Sequence, residues 1–477
     1  MNRRFASRAS LVAAWSLLAV MPGSADPVER ASTLADRESV NVTIYNGSLS
    51  LVHDRRRVAL DAGTSRIAWR DVSGNIDATS AILDDLTTPG AVSVLEQNFD
   101  FDLLRPAALL EKYVGRTVTV VHDKPVAGHP QRETATLLAN NDGVVLQYPD
   151  RIETSLDGSH LEYPSIPADL RERPTLVLDL DSAAAANADL DLSYITGGLG
   201  WHAEYVGVVS PAEDRMEIHG LVTLTNTTGT TFANARVQLV AGNVNVAAEP
   251  SQNQIRTIGA VRARSANVQQ ENYFEYHLYT LPLPTTIANA QTKQVALLSA
   301  RNVPVRKTLE LRGSESYYFN QNADLGAKLP IGVYVTFTNN DGDLGIPLPG
   351  GLFRLYKNDS RGTSQFLGSD RIDHTPRNED VRLHVGDSFD VTGNKKQTDF
   401  KGLGGCEYRS TYEVRVANAK DVAQDVEVVE PIPGEWTIFS ENFPHRKTSS
   451  ATATWTLHVP KNASTTLSYG ADVKLCF

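Results

Sequence analysis

The sequence predicts an all-β protein built of tandem β-domains, including β-sandwiches and a small SH3/Sm-like barrel, with few helices. Three observations carry that expectation. Short runs rich in Val, Ile, Leu, Tyr and Thr alternate apolar with polar residues, the period-two pattern of strands with one buried face. Clusters of Gly, Pro, Asn, Asp and Ser separate the runs and supply turns. One short segment, Pro106–Tyr113, reads as helix, with proline in its first turn.

The clearest stretch is Leu190–Asn245. In Arg215–Asn226, Met216, Ile218, Gly220, Val222 and Leu224 fall on one face, and Glu217, His219, Leu221, Thr223 and Thr225 on the other. Ser210–Asp214 and Asn226–Gly229 are turn compositions on either side, and Ala235–Val240 alternates again. One apolar and one mostly polar face fit an antiparallel sheet with a single side on a core.

Residues 1–25 read as a signal peptide. Arg3, Arg4 and Arg8 precede an apolar Leu11–Val20, and Gly23-Ser24-Ala25 allows cleavage after Ala25. The apolar run is too short for an ordinary transmembrane helix, which needs about 20 residues. The expected location is therefore periplasmic or extracellular.

Residues 26–105 follow as an N-terminal β-domain. Glu38–Ile44 and Ser48–His53 flank the hairpin turn Asn46-Gly47. The run Arg55-Arg56-Arg57 reads as a solvated strand edge or hairpin end. Residues 106–167 combine the short helix with a tight series of short strands, the pattern of a small barrel. Arg173–Leu180 is expected to return to the N-terminal domain and complete it over about 168–182. A β-rich domain then spans 190–400, with a polar loop at Ala247–Glu271 and a single alternating strand at Asn272–Leu281. Residues 401–477 read as an immunoglobulin-like sandwich. Its last strand alternates to a terminal Phe477, a pattern shared with outer-membrane barrels.

Cys406 and Cys476 are the only cysteines, and in an oxidising compartment they have one intramolecular pairing. Closing a loop of about 70 residues would contribute about 4 kcal/mol in the chain-entropy treatment. Two unrelated thiols are the alternative.

The 477 residues carry a net charge of −11 with 41% hydrophobic residues, ample for several cores and without the basic field that favours nucleic acid. Phosphate-loop, zinc-protease and nucleophile-elbow motifs are absent. Asn339, Asp341 and Asp343 have calcium-loop spacing. Leu344 stands where that loop requires Gly and Gly350 where it requires Glu, so a polar turn fits better. His202 with Glu204, and Asp373 with His374, are candidate surface fragments of a metal or acid–base site, each lacking a third convergent group. Tyr273, Tyr276, His277 and Tyr279 suggest an aromatic sugar-binding face, although a half-buried strand gives the same pattern. No catalytic residue, cofactor or metal is assigned.

Trp201-His202-Ala203-Glu204-Tyr205, Leu221–Asn226, Gly351–Tyr356, Asp373-His374-Thr375-Pro376, Gly386–Val391 and Pro431–Trp436 come in an order that resembles the C-terminal domain of the mucoidy-inhibitor-A-like family of exported bacterial proteins. The resemblance covers about 190–477. The coiled-coil insertion of many relatives is missing, and the barrel-like segment stands in its place. The resemblance implies a link to exopolysaccharide and no catalytic residue. The expected function is therefore a non-enzymatic envelope protein that binds or scaffolds an envelope protein or polysaccharide. An enzyme acting on envelope glycan and an outer-membrane barrel are the alternatives.

Overall fold

Strand Ser50–Leu60 buries every second residue, Ser50, Val52, Asp54, Arg56, Val58 and Leu60, so it must run along one side of a core. The computed structural model describes residues 28–476 apart from 101, 127–128, 157, 168, 242–268, 274–275, 323–324, 327, 341–343 and 346. The expected signal peptide, most of the polar loop, Asp341 and Asp343, and Phe477 lie outside the described residues.

Ser50–Leu60 sits inside a large sheet. Its strands run in the order Gln269–Tyr273, Tyr276–Thr280, Phe232–Ala241, Arg37–Tyr45, Ser50–Leu60, Ala186–Thr196, Ile76–Asp85. A second sheet, ordered Glu29–Ser32, Gly63–Arg70, Thr175–Ser182, Val92–Asp100, covers its inner face. Ile44, Val52, Leu190, Leu192, Val237 and Leu239 from the first meet Ile67, Trp69, Leu176 and Leu178 from the second. Thr175–Ser182 pairs on both sides, with Gly63–Arg70 and with Val92–Asp100. The helix Pro106–Lys112 and the short strands up to Glu162 are thereby looped out between two adjacent strands.

That looped-out module is a five-stranded sheet around Tyr113, Val118, Val120, Leu137 and Leu146. Its ladder ends on Ile152–Glu153 at one edge and Ser159–Glu162 at the other, and no pairing among the described residues joins them. The expected barrel is not closed, because edge strands this short hold too few ladder bonds to meet.

Beyond residue 196 three sheets are layered. Gln291–Pro304, Arg215–Asn226, Leu199–Val209, Gly351–Asn358 and Ser364–Ile372 form the first. It shares a core of Tyr205, Ile218, Phe353 and Leu355 with Val335, Phe337 and Leu383 of a six-stranded sheet. The other half of that six-stranded sheet, including Arg306–Arg312, Gln424–Pro431 and Thr452–Val459, packs on a four-stranded sheet. The latter runs Val391–Gly404, Glu407–Asn418, Ala463–Lys474, Glu435–Glu441. Strand Val391–Gly404 crosses residue 400 without a break, and the final sandwich draws on strands from Arg306 onward. The strand Ala463–Lys474 lies between two neighbours of an open sheet, so its alternation is that of a sandwich and not of an outer-membrane barrel.

Two further expectations change. Asn272–Leu281 is not one strand: Gln269–Tyr273 and Tyr276–Thr280 pair with each other, Tyr273 opposite Tyr276. The arginine run is no sheet edge, since Arg56 is wholly buried in an interior strand. Its guanidinium donates to Asp54, to the Ser32 carbonyl at 2.9 Å and to the Arg70 carbonyl at 2.8 Å, and lies 4.7 Å from the Trp69 ring centre. The cysteines stand as free, exposed thiols. The register sets Glu407 opposite Lys474, which places Cys406 across from Leu475, one residue short of Cys476. The two thiols are neighbours in the chain's fold: a hydrogen bond with Cys406 is the leading cause that raises the Cys476 thiol above its ordinary pKa.

Candidate functional site: a polar trough on the large sheet

With its inner face committed to a core, the large sheet presents the alternate residues outward. Their arrangement follows from register. Phe232–Ala241 pairs in parallel with Arg37–Tyr45, setting Arg236 beside Asn41, Gln238 beside Thr43 and Val240 beside Tyr45. The next strand continues each row, with His53 beside Asn41 and Leu51 beside Thr43. On the other flank Thr280 stands beside Gln238 and Leu278 beside Val240. These side chains line an open cavity of about 470 Å³, a volume within the range of ligand clefts.

The floor is apolar, from Leu51, Val240 and Leu278, and Tyr45 stands at one end. Gln238 accepts from Thr43 Oγ1 and donates to Thr280 Oγ1, both at 3.3 Å, which fixes the amide in the middle row. Arg236 is exposed, and neither it nor Asn41 makes a side-chain hydrogen bond or ion pair among the described residues. The neighbouring cations differ. Arg55 and Arg57 both hold Asp189, at 2.7 and 2.8 Å, and Arg57 reaches Glu38 at 2.8 Å. These bonds, led by that from Arg57, keep the Asp189 carboxyl below the usual range.

His53 bonds Asp191 through Nδ1 at 2.9 Å, and that bond raises its pKa against the opposing effect of burial. Ser193 stands directly opposite His53 in the ladder. Its hydroxyl turns to the Ile82 carbonyl at 3.4 Å, so His53 and Asp191 do not activate it. The trough therefore offers unused donors, amides and hydroxyls over an apolar floor.

The residues singled out in the sequence lie elsewhere. Glu204 is on the outer face of the sheet that contains Trp201. Its carboxylate accepts from Thr223 at 3.0 Å, Gln294 at 2.7 Å and Arg354 at 3.0 Å. Burial raises its pKa, but those bonds outweigh it and hold the carboxyl below its ordinary value. His202 is exposed on the same strand. His374 accepts from the Gly350 N–H at 2.8 Å through Nδ1, and burial lowers its pKa. The Asp373 carbonyl accepts from Thr375. The two pairs flank Gly350-Gly351 in the register, yet no hydrogen bond or ion pair joins them. No group of three His, Cys, Asp or Glu suited to a metal occurs among the described residues.

Of the expected aromatic face, Tyr279 and His277 point into the protein and are buried, leaving Leu278 and Thr280 to the trough, while the side chains of Tyr273 and Tyr276 lie outside the described residues. Asn339 is buried too, its amide donating to the Pro376 carbonyl at 3.0 Å and accepting from Gly345 N–H. Sequence reasoning missed the trough because its residues are individually ordinary outward positions of strands. Period two gives their facing, but only the pairing of strands about 195 residues apart brings them together.

Fold and trough together define a multi-sandwich β-protein with an open polar face on its large sheet. Residues 190–476 match the family described as Domain of unknown function (DUF4139), and the chain belongs to that family. No curated protein sequence matches it significantly. Arg236, Gln238, Val240, Leu278 and Thr280 lie within the matched region, while Asn41, Thr43, Tyr45, Leu51 and His53 precede it. No helix among the described residues is long and apolar enough to cross a membrane.

Proposed function

We propose that the chain is an exported bacterial envelope protein that acts by binding, with the trough as its binding surface and an envelope polysaccharide as its partner. The observation that supports this is the pair of donors without a side-chain partner among the described residues, Arg236 and Asn41, set over an apolar floor and beside the Gln238 amide. Amides, hydroxyls, an arginine and a tyrosine match sugar hydroxyls and apolar sugar faces. The resemblance to the mucoidy-inhibitor-A-like proteins points the same way, toward exopolysaccharide. In the oxidising compartment the neighbouring Cys406 and Cys476 would close as a disulfide.

Two experiments test the reading. Fractionated cells are washed at alkaline pH, and thiols are labelled before and after reduction; periplasmic protein labelled only after reduction is expected, and cytoplasmic protein with open thiols would end the export reading. Purified protein is then run by affinity electrophoresis through polysaccharide extracted from the same envelope. Retardation that Arg236→Ala with Asn41→Ala abolishes is expected. Absence of retardation, or equal retardation of the variant, removes the trough as the site.

A further inference from the structure

The core of the final sandwich holds two charged groups that the trough does not use. Lys395, on strand Val391–Gly404, and Glu430, on strand Gln424–Pro431, belong to opposite sheets and are fully buried. Lys395 Nζ lies 2.7 Å from Glu430 Oε2 and 3.0 Å from Tyr469 Oη. Tyr318 donates to the same Oε2 at 2.9 Å, and its hydroxyl is 2.8 Å from that of Tyr469. The amine sits 4.5 Å from the Tyr317 ring centre and 4.6 Å from that of Tyr412. Glu430 Oε1 is buried without a hydrogen-bond partner among the described residues. A Cβ on Gly313 would overlap this carboxylate, so glycine is what lets it lie against the backbone there.

For a permanent ion pair this is a poor arrangement. Two charges have left water, and one carboxylate oxygen receives nothing in return. For a condensation it is a good one, since nucleophile and electrophile are held in contact in a dry, aromatic site. We propose that Lys395 and Glu430 form an amide cross-link between the two sheets of the final sandwich. Lys395 Nζ adds to Glu430 Cδ and a nitrogen–carbon bond forms. One ammonium proton passes to the carboxylate before the neutral amine adds; the Cδ–Oε1 bond then breaks, and Oε1 departs as water with that proton and one more from the nitrogen. Oε2 remains as the amide oxygen, and nothing is oxidised or reduced.

The surroundings supply what the step needs. Burial lowers the pKa of the Lys395 amine against the pull of Glu430, favouring the neutral nucleophile. Burial also raises the phenols of Tyr318 and Tyr469, which stay protonated. Tyr318 thus donates to Oε2 as negative charge develops on it. The product carries no charge and no orphaned carboxylate oxygen.

The full-length purified chain, reduced and denatured, is weighed intact against the mass calculated from its determined N-terminus, then digested and mapped. A mass lower by one water, with a branched peptide joining the segments that contain Lys395 and Glu430, is expected. Lys395→Met should restore the full mass. A wild-type chain at its full calculated mass overturns the proposal, whether or not the variant folds. So does a missing water that maps to any other position.

Discussion

The two faces of strand Ser50–Leu60 carry similar residues to opposite uses. Inward, Asp54 takes Arg37 at 2.7 Å and Arg56 at 2.7 Å, and accepts from the Trp69 indole at 3.1 Å. Burial alone would raise the Asp54 pKa, but the two guanidinium groups hold it below the ordinary value. Outward, Arg55 and Arg57 are paired along the surface, while His53 borders a trough in which Arg236 and Asn41 have no side-chain partner among the described residues. The same alternation that builds the core builds the trough. The difference is satisfaction: a buried charge must find partners within the fold, whereas an exposed donor left without one is available to a ligand.

The sharpest way to break this contrast is to remove the inner carboxylate. Asp54→Ala strands two guanidinium groups in the core, and a buried pair broken from one side costs about 3–5 kcal/mol. Denaturant unfolding of the variant should show a loss of that size. A loss below about 1 kcal/mol would mean that the carbonyls of Ser32 and Arg70 suffice and that the inner network is not a constraint.

Glu204 sharpens the contrast from another outer face. It looks like a site residue in the sequence, yet every bond it makes is internal, to Thr223, Gln294 and Arg354. Glu204→Ala should cost about 1–2 kcal/mol by leaving those donors without an acceptor. The same variant should leave polysaccharide retardation unchanged. Loss of retardation with stability intact would move the binding surface to that sheet.

These residues also mark how far the sequence could be read. Alternation in Arg215–Asn226 is visible directly and becomes a strand with its apolar side in the core. The polar character of Glu204 is equally visible, but its satisfaction is not, because Arg354 comes from a strand 150 residues later. The arginine run looked solvated because charge runs usually are, and only the Trp69 and Asp54 environment reveals why Arg56 is inside. In Asn272–Leu281 the alternation is real, but it does not show that Gln269–Tyr273 and Tyr276–Thr280 pair with each other as two strands. The trough itself depends on parallel pairing between strands that share no local signal.

A smaller effect lies at the trough's border. The Asp191 bond raises His53 above its ordinary value of 6.5. The stability it contributes is therefore complete below that ordinary value and is lost as pH rises through the raised one. Both side chains are partly exposed, so solvent screening keeps the contribution under about 1 kcal/mol. Comparing wild type with Asp191→Asn at about pH 5 and about pH 8 should show a stability gap at the lower pH that narrows at the higher. A gap that widens with pH would mean that His53 is held neutral by its surroundings, leaving Arg236 as the one cation among the described residues that line the trough.

The smallest expected change is the most telling. Arg236→Ala removes a side chain with no partner among the described residues. Surface changes of that kind usually stay within about 0.5 kcal/mol, so its unfolding midpoint should coincide with that of the wild type. If it does, any lost retardation belongs to binding and not to folding. If the variant instead loses more than about 1 kcal/mol, Arg236 supports the fold as Arg56 does. The two faces of the sheet would then be alike, and the trough would lose the free donor on which its functional reading rests.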